Sequence, residues 1–420
     1  MLDIRFIREN PEIVKKAVVD KQLEGTVDID KLLEIEAKYR ALLQKVEAHR
    51  NSKNELSNNI AKVEGEKREE LIREATGVKE ELNKMEDKLA PLKVKLDEMV
   101  LWVPNIPAGD VPIGKGEEDN VVARTEGKTP KFSFEPKDHL DLGTELGIID
   151  MERGAKIGGF RNYFLKNKGL ELHLALLRYS LDLIQSKGFD IFEVPWLVRP
   201  EYFVGTGYFP WGEKDHYITQ DGKALIGTAE VSLTSYHANE VLEEEDLPVK
   251  MAAISPCYRT EVGSHGRDTK GIFRTHQFRK VEQVILLPEG EDLSVEWHEK
   301  MLGYSEELLK NLKLPYQVIL MCTGDMGAGQ RKKYDINTWF PSEKKYKETH
   351  SDSYFLDFQA RRLNMKYKTE GGETKYVNTI NNTVGASPRF LAAIIENYQQ
   401  KDGSIKVPKV LQKYVSFKSI

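Results

Sequence analysis

The chain has 420 residues, 31% charged and 40% hydrophobic, with a formal net charge of −5. That length allows two or three domains with a substantial core, and the slight acidity excludes indiscriminate nucleic-acid binding, so any RNA contact has to be local. Two cysteines, Cys257 and Cys322, exclude a disulfide framework or a cysteine-rich zinc site and fit a reducing compartment.

The N-terminal stretch "MLDIRFIRENPEIVKKAV" carries Asp3, Glu9 and Glu12 and has no long apolar core, so it reads as neither a secretory signal nor a transit peptide. No apolar run approaches membrane-span length, and a cytoplasmic location is expected. Asn10 and Pro11 form a cap and first-turn pair that starts a short helix. Next, Leu32, Ile35, Tyr39, Leu42, Val46, His49, Lys53, Leu56, Ile60 and Val63 recur at alternating spacings of three and four, the heptad period. Gly65 interrupts this pattern and Leu71, Ala75, Val78, Leu82, Met85, Leu89, Leu92, Leu96 and Met99 resume it, with Pro91 as a dissent and Pro104 as the stop. Two such helices can pair antiparallel as an arm over about residues 28–100. Its 15 basic and 17 acidic residues nearly balance, so composition leaves open a dimerising coiled coil, a spacer or an RNA-binding probe.

A linker rich in Pro and Gly, "VPNIPAGDVPIGKGEEDN", separates the arm from the rest, giving domains at 1–105 and 106–420. Residues 170–188 read as an amphipathic helix, and "FDIFEVPWLVRPEYF" as a strand broken at Pro195. Strand-like runs follow at 223–231, 250–259, 273–287, 315–322, 332–340, 361–368 and 374–381, with helices at 289–312 and 388–399. Hairpins with few crossover helices predict an α+β fold on a mostly antiparallel sheet flanked by helices.

Two of these runs are unusual. Alternation places Cys257, Arg259 and Glu261 on one face, and His276, Phe278, Lys280 and Glu282 on another, where an ordinary hairpin would bury apolar residues. Arg259 can grip a phosphate or carboxylate, Phe278 can stack on a base, and Glu282 can accept from an ammonium or hydroxyl; a cross-strand ladder on a solvated face is the alternative. The joining loop "GSHGRDTKG" matches no standard phosphate cradle. Ser387 and Pro388 read as an N-cap and first helical residue, which leaves Arg389 opposing the helix dipole unless an anion binds there. In "YKETHSDS", Glu348 and Ser351 stand three apart, on one side of a turn or helix, and together offer a carboxylate and a hydroxyl to Mg²⁺. His265, His276, His298 and His350 show no HExxH spacing, and no G-x-S-x-G elbow occurs.

"PCYRTEVGSHGRDTKGIFRTHQFRKVE" resembles motif 2 of class II aminoacyl-tRNA synthetases, specifically the seryl-tRNA synthetases, and "NNTVGASPRFLAAIIENYQ" resembles their motif 3. The segment leading into Pro195 is similar to motif 1, and "TAE" (228–230), "CTGDMG" (322–327), "DFQARR" (357–362) and "HRNSKNELS" are similar to the bacterial-type enzymes. The resemblance spans nearly the whole chain and implies a serine–tRNA ligase that uses ATP and Mg²⁺. It implies that Arg259 contacts the α-phosphate and the serine carboxylate, Phe278 stacks on adenine, Arg389 holds the γ-phosphate, and Glu348 and Ser351 ligate the metal. Glu261 and Arg274 match positions near ATP. Thr228, Glu230, Glu282, Asn381 and Thr383 would surround serine, with Glu282 and Thr383 nearest its hydroxyl. It further implies a homodimer whose arm reaches the long variable arm of serine tRNA, and charging of selenocysteine tRNA where that tRNA exists.

The sequence departs from the family pattern at Ser351, Asp352, Ser353, Tyr354 and Phe355, where many relatives carry a run like S-x-S-N-C. It departs also at Asn337, where an acidic residue is common, and at Asn382, where glycine is common. Tyr354 and Phe355 either repack the wall or narrow the amino-acid pocket. Two rivals remain: a paralogue passing the activated amino acid to a carrier protein, whose known examples lack the arm, and a non-catalytic relative, which would have lost the ATP and metal residues.

Overall fold

Short helices α1 (Ile4–Glu9) and α2 (Pro11–Asp20) precede the two heptad segments, which form α3 (Ile29–Ile60) and α4 (Glu66–Leu101). This computed structural model describes residues 1–262 and 270–420, and most of the loop "GSHGRDTKG", with His265, lies outside the described residues. At about 1.5 Å per residue the two helices run about 48 and 54 Å. They pair antiparallel, burying Leu32, Ile35, Val46 and Leu56 of α3 and Leu82, Leu96 and Val100 of α4. Gly65 makes the reversal at φ +68°, a left-handed conformation that side chains resist. Pro91 lies within α4 on its exposed side, where the lost N–H and the crowded carbonyl face water. Arg50 and Glu86 pair across the helices at 2.6 Å, but both are largely exposed, so apolar burial holds the arm together.

The chain divides into two compact units, Leu2–Pro104, and Asn105–Ile420 together with Met1. The second is built on eight strands in the order β1 (Val121–Glu126), β10 (Tyr316–Leu320), β11 (Lys332–Phe340), β12 (Lys345–Leu356), β15 (Asn378–Ser387), β9 (Gln277–Leu287), β8 (Val249–Tyr258) and β4 (Asp190–Phe192). Every neighbouring pair is antiparallel except β4 with β8, as the hairpin pattern predicts. Small pairs join β2 (Ile149–Asp150) to β3 (Phe164–Leu165) and β5 (Leu197–Val198) to β6 (Ala224–Leu225); β7 (Val241–Glu243), β13 (Lys366–Lys368) and β14 (Thr374–Tyr376) form a third sheet.

Strand β9 shows why its apolar run is continuous. Val281, Ile285 and Leu287 face one core, with Leu172 and Leu176 of α7 (Asn167–Ser186) and Met301 and Leu302 of α10 (Glu291–Asn311). Val284 and Leu286 face another, with Phe203 of α8 (Pro200–Thr206), Val231 of α9 (Glu230–Thr234) and Leu363 of α11 (Phe358–Leu363). A strand covered on both faces has no polar side to show. The remaining helices are α5 (His139–Glu145), α6 (Met151–Gly158) and α12 (Arg389–Asn397). Among the described residues no helix is long and apolar enough to cross a membrane.

Three predicted strand boundaries are corrected. Residues 223–231 pair only at Ala224–Leu225, after which the chain turns through Gly227 and enters α9. Residues 361–368 begin in α11, which Asn364 ends in a left-handed conformation at φ +52° before β13 starts. The "PEYF" end of the run after Pro195 is helical in α8, with Pro200 in its first turn. In each segment short apolar runs bury one side equally well in either conformation, so periodicity did not decide between them.

Candidate active site

Strands β8 and β9 meet with Cys257 opposite Phe278, and the pairing continues past the end of β8 through Arg259 N–H, which donates to the His276 carbonyl at 3.0 Å. This throws Arg259 into a cleft lined also by Glu261, Arg274, Phe278, Lys280, Glu348, Ser351, Thr383 and Arg389. Cys257 and His276, assigned by alternation to the same faces, do not line it. The Arg259 guanidinium sits 5.2 Å from the Phe278 ring centroid, and Arg274 pairs with Glu261 at 2.8 Å.

The opposite wall depends on a β-bulge. In a regular strand, residues three apart point to opposite faces. Here Ile336 pairs with His350 and Asn337 with Glu348, so Thr349 is an extra residue, and the bulge returns Glu348 to the face of Ser351. The sequence places this pair on one side correctly, but on a turn or helix; the structure puts both on β12.

The motif around residue 387 also needs correction. Helix α12 begins at Arg389, Pro388 occupies the cap position, and Ser387 does not cap: its hydroxyl is engaged by His173 Nδ1 at 2.7 Å. Arg389 nonetheless points into the cleft. Its Nε donates to the Phe273 carbonyl at 3.2 Å, its Nη1 to the Glu348 carbonyl at 3.0 Å, and its guanidinium lies 4.4 Å from the Phe273 ring centroid. Nη1 also pairs with the Glu348 carboxylate at 3.1 Å. Desolvation pushes the Glu348 carboxyl up, but Arg389, Lys333 and Arg259 together outweigh it and hold it well below the usual range.

At the cleft floor, Lys280 Nζ, on the same face as Phe278, forms an ion pair with Glu282 and donates to Thr228 Oγ1 at 2.7 Å. Thr383 Oγ1 donates to Glu282 Oε2 at 3.3 Å and lies 3.4 Å from Ser351 Oγ. Glu230 is held from two sides, by Tyr208 Oη at 2.6 Å and Gln359 Nε2 at 2.8 Å. Burial pushes its carboxyl up to about 7, the Tyr208 hydrogen bond opposes this, and the Glu282 charge adds to it. Asn381 is buried on β15 opposite Ser353.

Sequence reasoning gave no role to Lys280 and missed Tyr208, Phe273 and Gln359; their partners lie 22 to 129 residues away, beyond any local pattern. The departures fall in different places. Tyr354 is on the other face of the sheet, its ring 5.1 Å from that of His298, whereas Phe355 borders a depression shared with Tyr208 and Glu230. Asn337 pairs with Glu348 on the cleft side, and Asn382 accepts from Ser305 Oγ at 2.8 Å on the far side.

An antiparallel sheet that carries an aromatic ring over a buried acid–hydroxyl floor, with one arginine just past the end of β8 and another at the start of α12, defines the class II aminoacyl-tRNA synthetase catalytic domain, and the tRNA synthetase class II core domain (G, H, P, S and T) matches residues 215–398. The seryl-tRNA synthetase N-terminal domain matches residues 1–107. The serine–tRNA ligase of Deinococcus radiodurans is 42% identical over 100% of this chain and 99% of that protein, and that of Listeria innocua is 41% identical over 99% and 98%. The seryl-tRNA synthetase of Pyrococcus horikoshii, solved with ATP, superposes with a TM-score of 0.93 at 39% identity, covering 100% of this chain and 99% of that one. The cytoplasmic serine–tRNA ligase of Naegleria fowleri, solved with AMP, gives 0.87 at 31% identity, covering 100% and 98%. The chain belongs to the seryl-tRNA synthetase family, the serine–tRNA ligases.

Proposed function

We propose that the cleft joins serine to ATP as seryl-adenylate and passes the seryl group to the 3′ end of serine tRNA. The observation that carries this reading is the convergence on one cleft of Arg259, Phe278 and Arg389 above the Lys280–Glu282–Thr383 floor. Phe278 stacks on adenine, with Glu261 and Arg274 beside the nucleotide. Arg259 binds the α-phosphate and the serine carboxylate, and Arg389 the γ-phosphate. Glu230 takes the serine ammonium with Thr228 and Asn381 around it, and Glu282 and Thr383 take the hydroxyl. Serine's carboxylate is already a nucleophile, so no general base is required; the chain has to align it with the α-phosphorus and neutralise developing charge. A carboxylate oxygen attacks that phosphorus, its bond to the bridging oxygen breaks, and pyrophosphate leaves. The terminal ribose hydroxyl of the tRNA then attacks the activated carbonyl and AMP leaves.

Glu348 and Ser351 present hard oxygen donors on one face, the sparse protein donor set that Mg²⁺ accepts when phosphates complete its shell. Bound there, the ion would supply charge neutralisation to the phosphates. The assignment further gives residues 106–420 the chemistry and residues 1–105 the tRNA, with the arm on the long variable arm of serine tRNA across a cytoplasmic homodimer, and it extends to selenocysteine tRNA where that occurs. Deleting residues 28–100 is expected to leave serine activation within about threefold and to lower tRNA charging at least about 100-fold, as lost multivalent contact implies. Charging by the deletion variant at the wild-type rate would remove the arm from the account.

A second test uses Glu230. An ammonium needs the carboxylate form, so the serine KM should rise as pH falls below about 7, by up to about tenfold per unit. Glu230→Gln should raise the serine KM and flatten that profile, measured by steady-state exchange between pH 5.5 and 8. An unchanged profile would place the serine ammonium elsewhere.

A further inference from the structure

Helix α12 carries Arg389 at its start and, two turns on, Glu396, a carboxylate almost wholly buried. Four hydrogen bonds converge on Glu396. Oε1 accepts from His139 N–H at 3.1 Å and from His139 Nδ1 at 2.8 Å; Oε2 accepts from the Ser342 hydroxyl at 2.7 Å and from the Ser342 N–H at 3.3 Å. The carboxylate therefore ties the start of α5 and the turn between β11 and β12 to the helix that presents Arg389. The other edge of the His139 ring faces the returning end of the β8–β9 loop, where Nε2 accepts from Ile272 N–H at 3.3 Å. Only one tautomer satisfies both edges, with the proton on Nδ1 and the lone pair on Nε2.

The backbone is shaped to admit that ring. Gly271 stands at φ +67°, and a Cβ added there would fall on His139 Nε2. Two residues further on, Phe273 supplies both the carbonyl that receives Arg389 Nε and the ring beneath its guanidinium. A continuous path of contacts thus runs from Glu396 through His139, Ile272 and Phe273 back to Arg389 on the same helix.

We propose that His139 is a positioning residue for Arg389: held by Glu396, it fixes the base of the ATP-side loop so that Phe273 aims the guanidinium at the terminal phosphate. The proposal rests on the reading that Arg389 meets the γ-phosphate, and it predicts an effect confined to ligands that carry that group. His139→Asn keeps a donor near the Nδ1 position for Glu396 but offers Ile272 no acceptor; His139→Gln can place an acceptor near the Nε2 position.

The test is calorimetric binding of ATP and of AMP to the full-length wild type and to both variants, with melting temperatures recorded. His139→Asn should weaken ATP about tenfold while AMP stays within about twofold, and His139→Gln should recover at least half of the ATP loss on a logarithmic scale. Gly271→Ala, which removes no hydrogen-bonding group from His139 or Glu396 but drives the loop base and the His139 ring apart, should reproduce the ATP-selective loss and serves where His139→Asn does not fold. Equal weakening of ATP and AMP, or unchanged ATP binding in both His139→Asn and Gly271→Ala, would overturn the proposal. Since binding is read without serine, an absence of serine-dependent exchange would sink the adenylation reading while leaving the positioning role to the ATP–AMP comparison.

Discussion

Arg259→Ala is expected to lower serine-dependent ATP–pyrophosphate exchange about 10³-fold, near 4 kcal/mol of transition-state stabilisation at 1.36 kcal/mol per factor of ten. The guanidinium is the cleft cation seated over the Phe278 ring, and its Nε is tied to the Gly227 carbonyl at 3.3 Å, so its position is set before substrate arrives. Preorganisation of that kind is worth most where charge develops, and the proposed role puts Arg259 on the phosphorus under attack. Arg259→Lys should recover little, since an ammonium cannot grip phosphate and carboxylate as a planar fork does. Thermal unfolding run alongside should shift little, because Glu348 keeps its ion pair with Arg389 and, among the described residues, no carboxylate pairs directly with Arg259. Exchange within tenfold of wild type in Arg259→Ala would remove the residue from the chemistry.

Glu282→Gln is expected to lower kcat/KM for serine about 100-fold, and to cut the preference for serine over alanine from about 10⁴ towards about 10². The buried Lys280 ammonium is neutralised by Glu282 and otherwise held by the Thr228 hydroxyl, so the same change strands a cation and should cost about 3–5 kcal/mol of stability. On the proposed assignment alanine offers no hydroxyl to Glu282 and Thr383, and Glu282 also neutralises Lys280, so discrimination and stability are coupled here. Parallel kinetics with serine and alanine, with denaturant unfolding, check both effects. An unaltered serine-to-alanine ratio would mean that Glu282 serves Lys280 alone.

The legible parts of this chain were those whose information is local. The arm announces itself because Leu32, Val46, Leu82 and Leu96 repeat a period that only paired helices use, and β9 because its run alternates through His276, Phe278, Lys280 and Glu282 and stops at Pro288 and Gly290. Alternation likewise groups Phe278 and Lys280, which line the cleft, with Glu282, which lies beneath it against Lys280 and Thr383. The bulge at Thr349 was not legible, since an extra residue in a ladder depends on the partner strand, and Asn337 lies eleven residues upstream of Glu348. Ser387 misled for a related reason: its hydroxyl has the chemistry of a cap, but His173, 214 residues away, takes it. The network that orients Glu230 through Gln359, itself held by Thr379 at 2.5 Å, joins segments that no spacing rule connects.

The central claim is that this cleft adenylates serine, and ATP–pyrophosphate exchange on the purified chain, with serine, threonine, alanine and glycine compared side by side in the presence of Mg²⁺, tests it most directly. The account predicts exchange with serine well above the other three: alanine and glycine lack the hydroxyl, and threonine's extra methyl meets crowding at the floor. No exchange with any of them from folded protein, or exchange with alanine equal to that with serine, would contradict it.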